Sequence, residues 1–199
     1  MNRSLRIAVA DDEADTREFL ERYLPRLGHQ VASVAENGEQ LVEQCRRHRP
    51  DLIITDVRMP GLDGLEAVKT LFREQAVPAV LLTAYADAGW VERARDAGVF
   101  AYLLKPVTEQ DLGPAISLAW LQFEQFQALR READSLRQSL EDRKVIERAK
   151  GAVVRRVGVP EAEAFRRLRR CASDHNQKLV EVAQRVLAAE EVFAALDPG

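Results

Sequence analysis

The sequence predicts an α/β protein: a doubly wound, five-stranded parallel sheet followed by a long coiled-coil helix and a small three-helix unit. Three observations carry this expectation. Short continuous apolar runs alternate with segments of helical spacing, as in strands buried on both faces by crossover helices. A heptad-like apolar series then extends from Thr108 to about Leu140, broken only by Gly113-Pro114 near its start. Finally, charge reverses along the chain. From Arg143 onward there are 12 Lys and Arg against 8 Asp and Glu, leaving 17 against 24 before it, although the whole chain carries only −3. An acidic front and a basic tail suggest different partners.

Taken in order, LRIAVA ends in Asp11-Asp12, HQVASVA follows the first helix, DLIIT ends in Asp56, PAVLLT ends in Thr83, and AYLL ends in Lys105-Pro106. Between these runs, helical spacing groups Phe19, Leu20, Tyr23 and Leu24, then Leu41, Val42 and Cys45, then Leu65, Val68, Leu71 and Phe72. The long helix starts at Thr108, a suitable N-cap, and Pro114 falls in its first turn, where proline is tolerated. Leu112, Ala119, Phe126, Ala133 and Leu140 recur every seven residues, with Leu129 and Leu136 between the later ones. Gln122 interrupts that second series, so the seam is firm from Phe126 onward. A coil paired between two chains is the preferred reading over a helix folded back on its own domain. Three shorter helices should follow, carrying Ile146, Ala149, Val153 and Val157, then Phe165, Leu168 and Ala172, then Leu179, Val182, Ala183, Val186 and Leu187. Gly158 suits the stop of the first, and Pro160 the first position of the second. The expected organisation is therefore 1–120, a linker helix at 121–141, and 142–199.

Composition fits a globular chain of 199 residues, 46% hydrophobic and 31% charged. No apolar run approaches the ~20 residues that span a bilayer, and MNRSLRIAVADD does not resemble a signal peptide. A cytoplasmic protein without a membrane partner is expected. Cys45 and Cys171 lie far apart in helical patterns and read as reduced, buried thiols.

The carboxyl ends of parallel strands share one edge, where ligands usually bind. Here those ends carry Asp11, Asp12, Asp56, Thr83 and Lys105. Gathered carboxylates repel unless a divalent cation neutralises them, and hard Mg²⁺ prefers oxygen donors. This chemistry suits phosphoryl transfer, with Asp56 as nucleophile, Asp11 and Asp12 on the metal, and Lys105 as counter-cation. An Mg²⁺-dependent phosphohydrolase would need a substrate cap and a further acid beside the nucleophile. Val57 and Arg58 follow Asp56 instead, so the chain is not expected to be an enzyme.

VADDE, TDVRMPGLDGLE, LLTAYA and YLLKP, in this order and strand context, resemble the flavodoxin-like receiver domain of two-component response regulators. The resemblance covers residues 5 to about 120. It implies that Asp56 accepts a phosphoryl group from a sensor histidine kinase. It further implies Mg²⁺ on Asp12, Asp56 and the Arg58 backbone carbonyl, with Asp11 assisting through water. Thr83 and Tyr102 match the switch pair, whose hydroxyl moves to the phosphoryl group as the ring turns inward. The Lys105-Pro106 bond is expected to be cis.

The tail is basic along its first two helices, and Arg166 and Arg170 fall opposite the apolar stripe, with Arg169 at its edge. IERAKGAVV, EAFRRLRRCAS and HNQKLVEVA resemble the ANTAR domain, an RNA-binding output module of transcription antiterminators. Val153-Val154, where the family usually has a longer aliphatic pair, and Val159 ahead of Pro160 depart from its pattern. The resemblance implies that RNA stem-loops are bound in nascent transcripts. Candidate contacts are Lys150, Gly151, Arg155, Arg156, Arg166, Arg169, Arg170, Asn176 and Lys178. Gly151 would permit close approach by a neighbouring helix or by RNA. The competing reading is a helix-turn-helix on DNA, with Gln177, Lys178 and Glu181 on its recognition helix; Glu181 would face phosphates there.

Overall fold

The five apolar runs form strands because β-branched and aliphatic side chains pack well on a sheet covered on both faces. A computed structural model describes residues 3–84 and 97–196, so the last two residues of LLTAYA lie outside it. Strands β1 (Arg6–Ala10), β2 (Gln30–Ala35), β3 (Leu52–Asp56), β4 (Ala79–Thr83) and β5 (Val99–Leu104) are parallel, in the order β2-β1-β3-β4-β5. Ala10 pairs with Thr55, Asp56 with Leu82, and Thr83 with Leu104. This register brings four strand ends to one edge together.

Alternate residues of each strand serve opposite faces. Ala8, Ala10, Ile53 and Leu81 pack with α2 (Gly38–His48) and α3 (Gly64–Gln75) through Leu41, Cys45, Leu65, Val68 and Leu71. Ile7, Val9, Ile54, Val80 and Leu82 pack on the other face, with Leu20 of α1 (Ala14–Tyr23) and with Leu112, Ile116 and Ala119. Side-chain caps set two helix starts: Asn37 accepts from the Gln40 N–H at 2.9 Å, and Asp63 from the Glu66 N–H at 2.7 Å.

Helix α4 (Glu109–Val157) runs for 49 residues. At its start, Asp111 accepts from the Thr108 hydroxyl at 2.5 Å and the Thr108 N–H at 3.1 Å. The separate helix expected to begin after Leu140 does not exist, because neither glycine nor proline interrupts 115–150. The heptad reading also needs correction at its beginning. Leu112 and Ala119 are fully buried in the sheet's core, and the Phe126 ring lies 5.7 Å from Phe72 and 5.9 Å from Phe100. Leu112 and Ala119 thus follow the sheet, whereas Phe126 touches these rings and stays 37% exposed. Leu129, Leu136 and Leu140 are instead exposed, at 67%, 61% and 60%.

The fold divides into two units, Met1–Gln127 and Ala128–Gly199, within the helix expected as a linker. In the second, Ala149 of α4 packs with Leu168 and Ala172 of α5 (Glu161–Asp174) and with Val182 and Ala183 of α6 (Leu179–Leu196). Two expected core residues differ. Val157 is 51% exposed, one position before the Gly158 stop at φ 70°, and Phe165 is only half-buried while Ala164 takes the buried position. Ala164, Leu168 and Ala172, each one turn apart, form the inward stripe, which leaves Phe165 at its margin. Pro160 is the N-cap rather than the first helical residue.

Candidate functional site

Four of the five strands deliver one polar group each to the carboxyl edge. Asp11 follows β1 and is fully buried, Asp56 ends β3 at 8% exposure, and Thr83 ends β4 and is buried. Lys105 follows β5, where its N–H donates to the Thr83 carbonyl at 2.8 Å, and its bond to Pro106 is cis. Its Nζ lies 3.2 Å from Asp11 Oδ1, 3.1 Å from Asp56 Oδ2 and 3.0 Å from Glu13 Oε2. Burial alone would lower the Lys105 pKa, but its hydrogen bonds to Asp11, Glu13 and Asp56 outweigh this and hold it above the ordinary lysine range. For Asp11, burial wins over the Lys105 hydrogen bond and the Glu13 N–H, so its carboxyl is raised. Glu13 is lowered by Lys105.

The donor set fits a hard cation. Oxygens of Asp11, Asp12 and Asp56 lie within 4.8 Å of one another, and Asp12 is exposed to admit water. Asp11 Oδ2, though 2.9 Å from Lys105 Nζ, is buried without an aligned hydrogen bond, so it retains acceptor capacity. Arg58 follows on the loop after β3 and is exposed. Tyr102 lies on β5 with its side chain turned outward, 53% exposed.

Three supporting residues escaped the sequence reading. Glu13 directly follows the acid pair and competes for Lys105. Arg17, one turn later, donates to the carbonyls of Asp11 and Asp12 at 2.9 and 3.0 Å. Gly64 lets α3 pass against the Asp56 carbonyl: a Cβ there would sit 1.8 Å from that oxygen. The third acid of VADDE and the glycine of LDGLE were the available signals.

In the second unit the candidate cations divide by what they touch. Lys150 is drawn inward, its side chain 13% exposed, with Nζ 2.8 Å from Glu147 and 2.6 Å from Glu161. It also lies 5.7 Å over the Phe165 ring, so it ties α4 to α5. This changes its expected placement as an outward-facing contact. Arg155 pairs with Glu190 at 2.7 Å, and Arg156 stacks on Phe193 at 3.9 Å, both on α6. On α5, Arg166 pairs with Glu163 at 2.6 Å, Arg170 with Asp174 at 3.7 Å, and Arg169 lies 6.0 Å over Phe165. Asn176 is exposed at φ 50° in the turn before α6, and the exposed Lys178 donates its N–H to Glu181 at 3.1 Å. No neighbouring helix explains Gly151: among the described residues, a Cβ there would meet only the Arg155 guanidinium, at 3.4 Å.

A doubly wound sheet with this acid–lysine edge, joined by a helix to a small helical unit, is the architecture of a signal receiver with an output domain. The comparisons agree. Residues 7–117 match the response regulator receiver domain and residues 134–187 match the ANTAR domain. The chain belongs to the response regulator family and carries an ANTAR output. It is 41% identical over 182 residues to the transcriptional regulatory protein PdtaR of Mycobacterium tuberculosis, covering 92% of this chain and 89% of that protein. Among solved structures, the receiver domain of a modulated diguanylate cyclase from Desulfovibrio desulfuricans is 28% identical with a TM-score of 0.57, covering 61% of this chain and 98% of that one. The receiver domain of the response regulator NarL from Mycobacterium tuberculosis is 28% identical with a TM-score of 0.54, covering 58% and 94% respectively. No helix among the described residues is long and apolar enough to cross a membrane.

Proposed function

We propose that this chain is a phosphorylation-dependent regulator that binds hairpin RNA in nascent transcripts and promotes transcription antitermination as a dimer. The carrying observation is the unbroken helix α4, which contributes Leu112, Ile116 and Ala119 to the receiver core and Ala149 to the output core. A single helix shared by two cores gives a change in one a continuous route to the other.

At the acidic edge, an Asp56 oxygen attacks the phosphorus of a sensor kinase's phosphohistidine, forming an O–P bond as the N–P bond breaks. Mg²⁺ would be held by Asp12, Asp56 and the Arg58 carbonyl, with Asp11 through water, and would neutralise charge on the transferring oxygens. Lys105 leaves its carboxylate partners to pair with the phosphoryl group. The Thr83 hydroxyl then turns toward that group, and Tyr102 moves inward from its exposed position.

Pairing follows through Leu129, Leu136 and Leu140, an apolar series on an otherwise polar helix segment. Two output domains then engage RNA with raised effective concentration. Arg166, Arg169 and Arg170 supply the exposed cationic face, with Arg155, Arg156, Asn176 and Lys178 contributing contacts. Lys150 supports this surface from within. Gly151, with no helix against it among the described residues, supports approach by an outside backbone. Such regulation places the protein in the cytoplasm.

The test combines sedimentation with RNA retention, each with and without beryllofluoride as phosphoryl mimic and Mg²⁺. A shift to dimer with tighter hairpin binding is expected. An unchanged oligomer in both states refutes the dimerisation step, and retention of duplex DNA in preference to hairpin RNA refutes the output assignment.

A further inference from the structure

Helix α6 continues to Leu196, beyond residue 187 where the ANTAR match ends. Its extra turns carry Glu190 and Phe193, which meet Arg155 and Arg156 at the end of α4. Between these helices lies a pocket of about 210 Å³, with Ala152, Val153, Val186 and Ala189 among its apolar walls and Arg156 and Phe193 closing it. It is smaller than the ~300–1,000 Å³ sites that enclose drug-sized ligands. Its two largest walls are planar groups, a guanidinium and an aromatic ring. Phe193 remains 48% exposed and Val157, also lining the pocket, 51%.

We propose that this pocket receives one unpaired nucleobase of a bound RNA. Arg156 already lies 3.9 Å over the Phe193 ring, so it swings off that face to admit the base; Phe193 is then the stacking platform, Arg156 the planar cationic cover, and Arg155 the holder of the adjoining phosphate. The proposal rests on the RNA-binding reading of the output domain and adds a site outside its matched core. An apolar floor offers little to a sugar or a peptide backbone, whereas every base presents a π-face. Charge favours the same occupant. The segment from Arg143 onward holds 12 basic against 8 acidic residues, so the same segment of a second copy would bring net like charge to Arg155 and Arg156, while a polyanion brings the complement. Glu190 completes the chemistry. Once a phosphate oxygen accepts from Arg155, the Glu190 carboxylate is released at the pocket rim, where it can accept a hydrogen bond from an amino group of the base.

Three full-length variants test this against a pool of RNA hairpins with one fixed stem and randomised loops. Phe193→Leu keeps an apolar side chain but removes the π-face, and Phe193→Trp reports stacking by indole fluorescence. Quenching beyond that of the unaltered chain is expected on RNA binding. Phe193→Leu should weaken binding about tenfold, by the same factor at low and high salt, because stacking releases no counterions. Arg155→Gln should instead reduce the salt slope by about one. Absent quenching together with unaltered affinity of Phe193→Leu overturns the pocket and leaves the RNA reading intact. Failure of the unaltered chain to retain any hairpin overturns both. A change in sedimentation of Phe193→Leu without RNA would assign this face to protein contact and likewise overturn the proposal.

Discussion

Replacing Gly64 by alanine should disable the acidic pocket without touching any of its charged groups. Elsewhere in a helix, Gly→Ala would stabilise by about 1 kcal/mol. At Gly64 the added Cβ would lie 1.8 Å from the Asp56 carbonyl oxygen and 2.8 Å from Thr55 Oγ1. That hydroxyl already donates to the same carbonyl at 3.0 Å, so there is no room on either side. Non-bonded contacts of this kind do not fall below about 3 Å, which obliges the start of α3 or the end of β3 to move by more than about 1 Å. Overpacking of this order costs about 1–3 kcal/mol, or roughly 2–12 °C in melting temperature. Misplacement of a reacting group by about 1 Å can cost on the order of 100-fold in rate. Phosphorylation of Gly64→Ala by acetyl phosphate, followed on phosphate-affinity gels, should therefore slow by about two orders of magnitude in a chain that still folds. Unchanged phosphorylation and melting temperature would refute the close-approach argument.

Leu136→Glu and Leu140→Glu, both at exposed positions, should leave the stability of the fold unchanged to within about 0.5 kcal/mol while preventing dimer formation with beryllofluoride; sedimentation measures this. In native protein a maleimide should modify Cys171 well before Cys45, which is buried with its thiol pushed up to about 12; mass spectrometry after brief labelling identifies the site. His29 is buried and its pKa is depressed by burial, while its Nδ1 accepts the Leu5 N–H at 3.3 Å. The unfolded chain binds this proton more readily, so the contribution of neutral His29 is present above the unfolded value of about 6.5 and is lost as pH falls through it toward the depressed folded value. Denaturant titrations from pH 7.5 to about 5.5 should show that loss, and His29→Asn should flatten it.

Much of the pocket was legible because its chemistry sits at strand ends. A run such as DLIITD announces both a buried strand and the residue that leaves it, so Asp11, Asp56, Thr83 and Lys105 could be placed on one edge from local pattern and parallel topology. Glu13 was harder to see. Its role depends on Lys105 reaching back across the edge, a contact between residues 92 positions apart. Gly64 was passed over for a related reason, since a glycine beginning a helix looks ordinary until the Asp56 carbonyl is found behind it.

The long helix divides the two kinds of knowledge most sharply. Local pattern determined that 108 to about 140, and the stretch carrying Ile146 to Val157, should be helical, because helix-forming side chains are properties of neighbouring residues, though it read them as two helices where there is one. It could not decide what each heptad position faces. Leu112, Ala119 and Leu140 occupy one repeat, yet the first two are buried in the receiver and the third is exposed. Likewise, the basic composition of the tail was plain, but only packing drew Lys150 between Glu147 and Glu161 and laid Arg156 over Phe193. Periodicity records which residues share a helix face, while burial and ion pairing depend on which distant segment arrives there, and that is decided by tertiary structure.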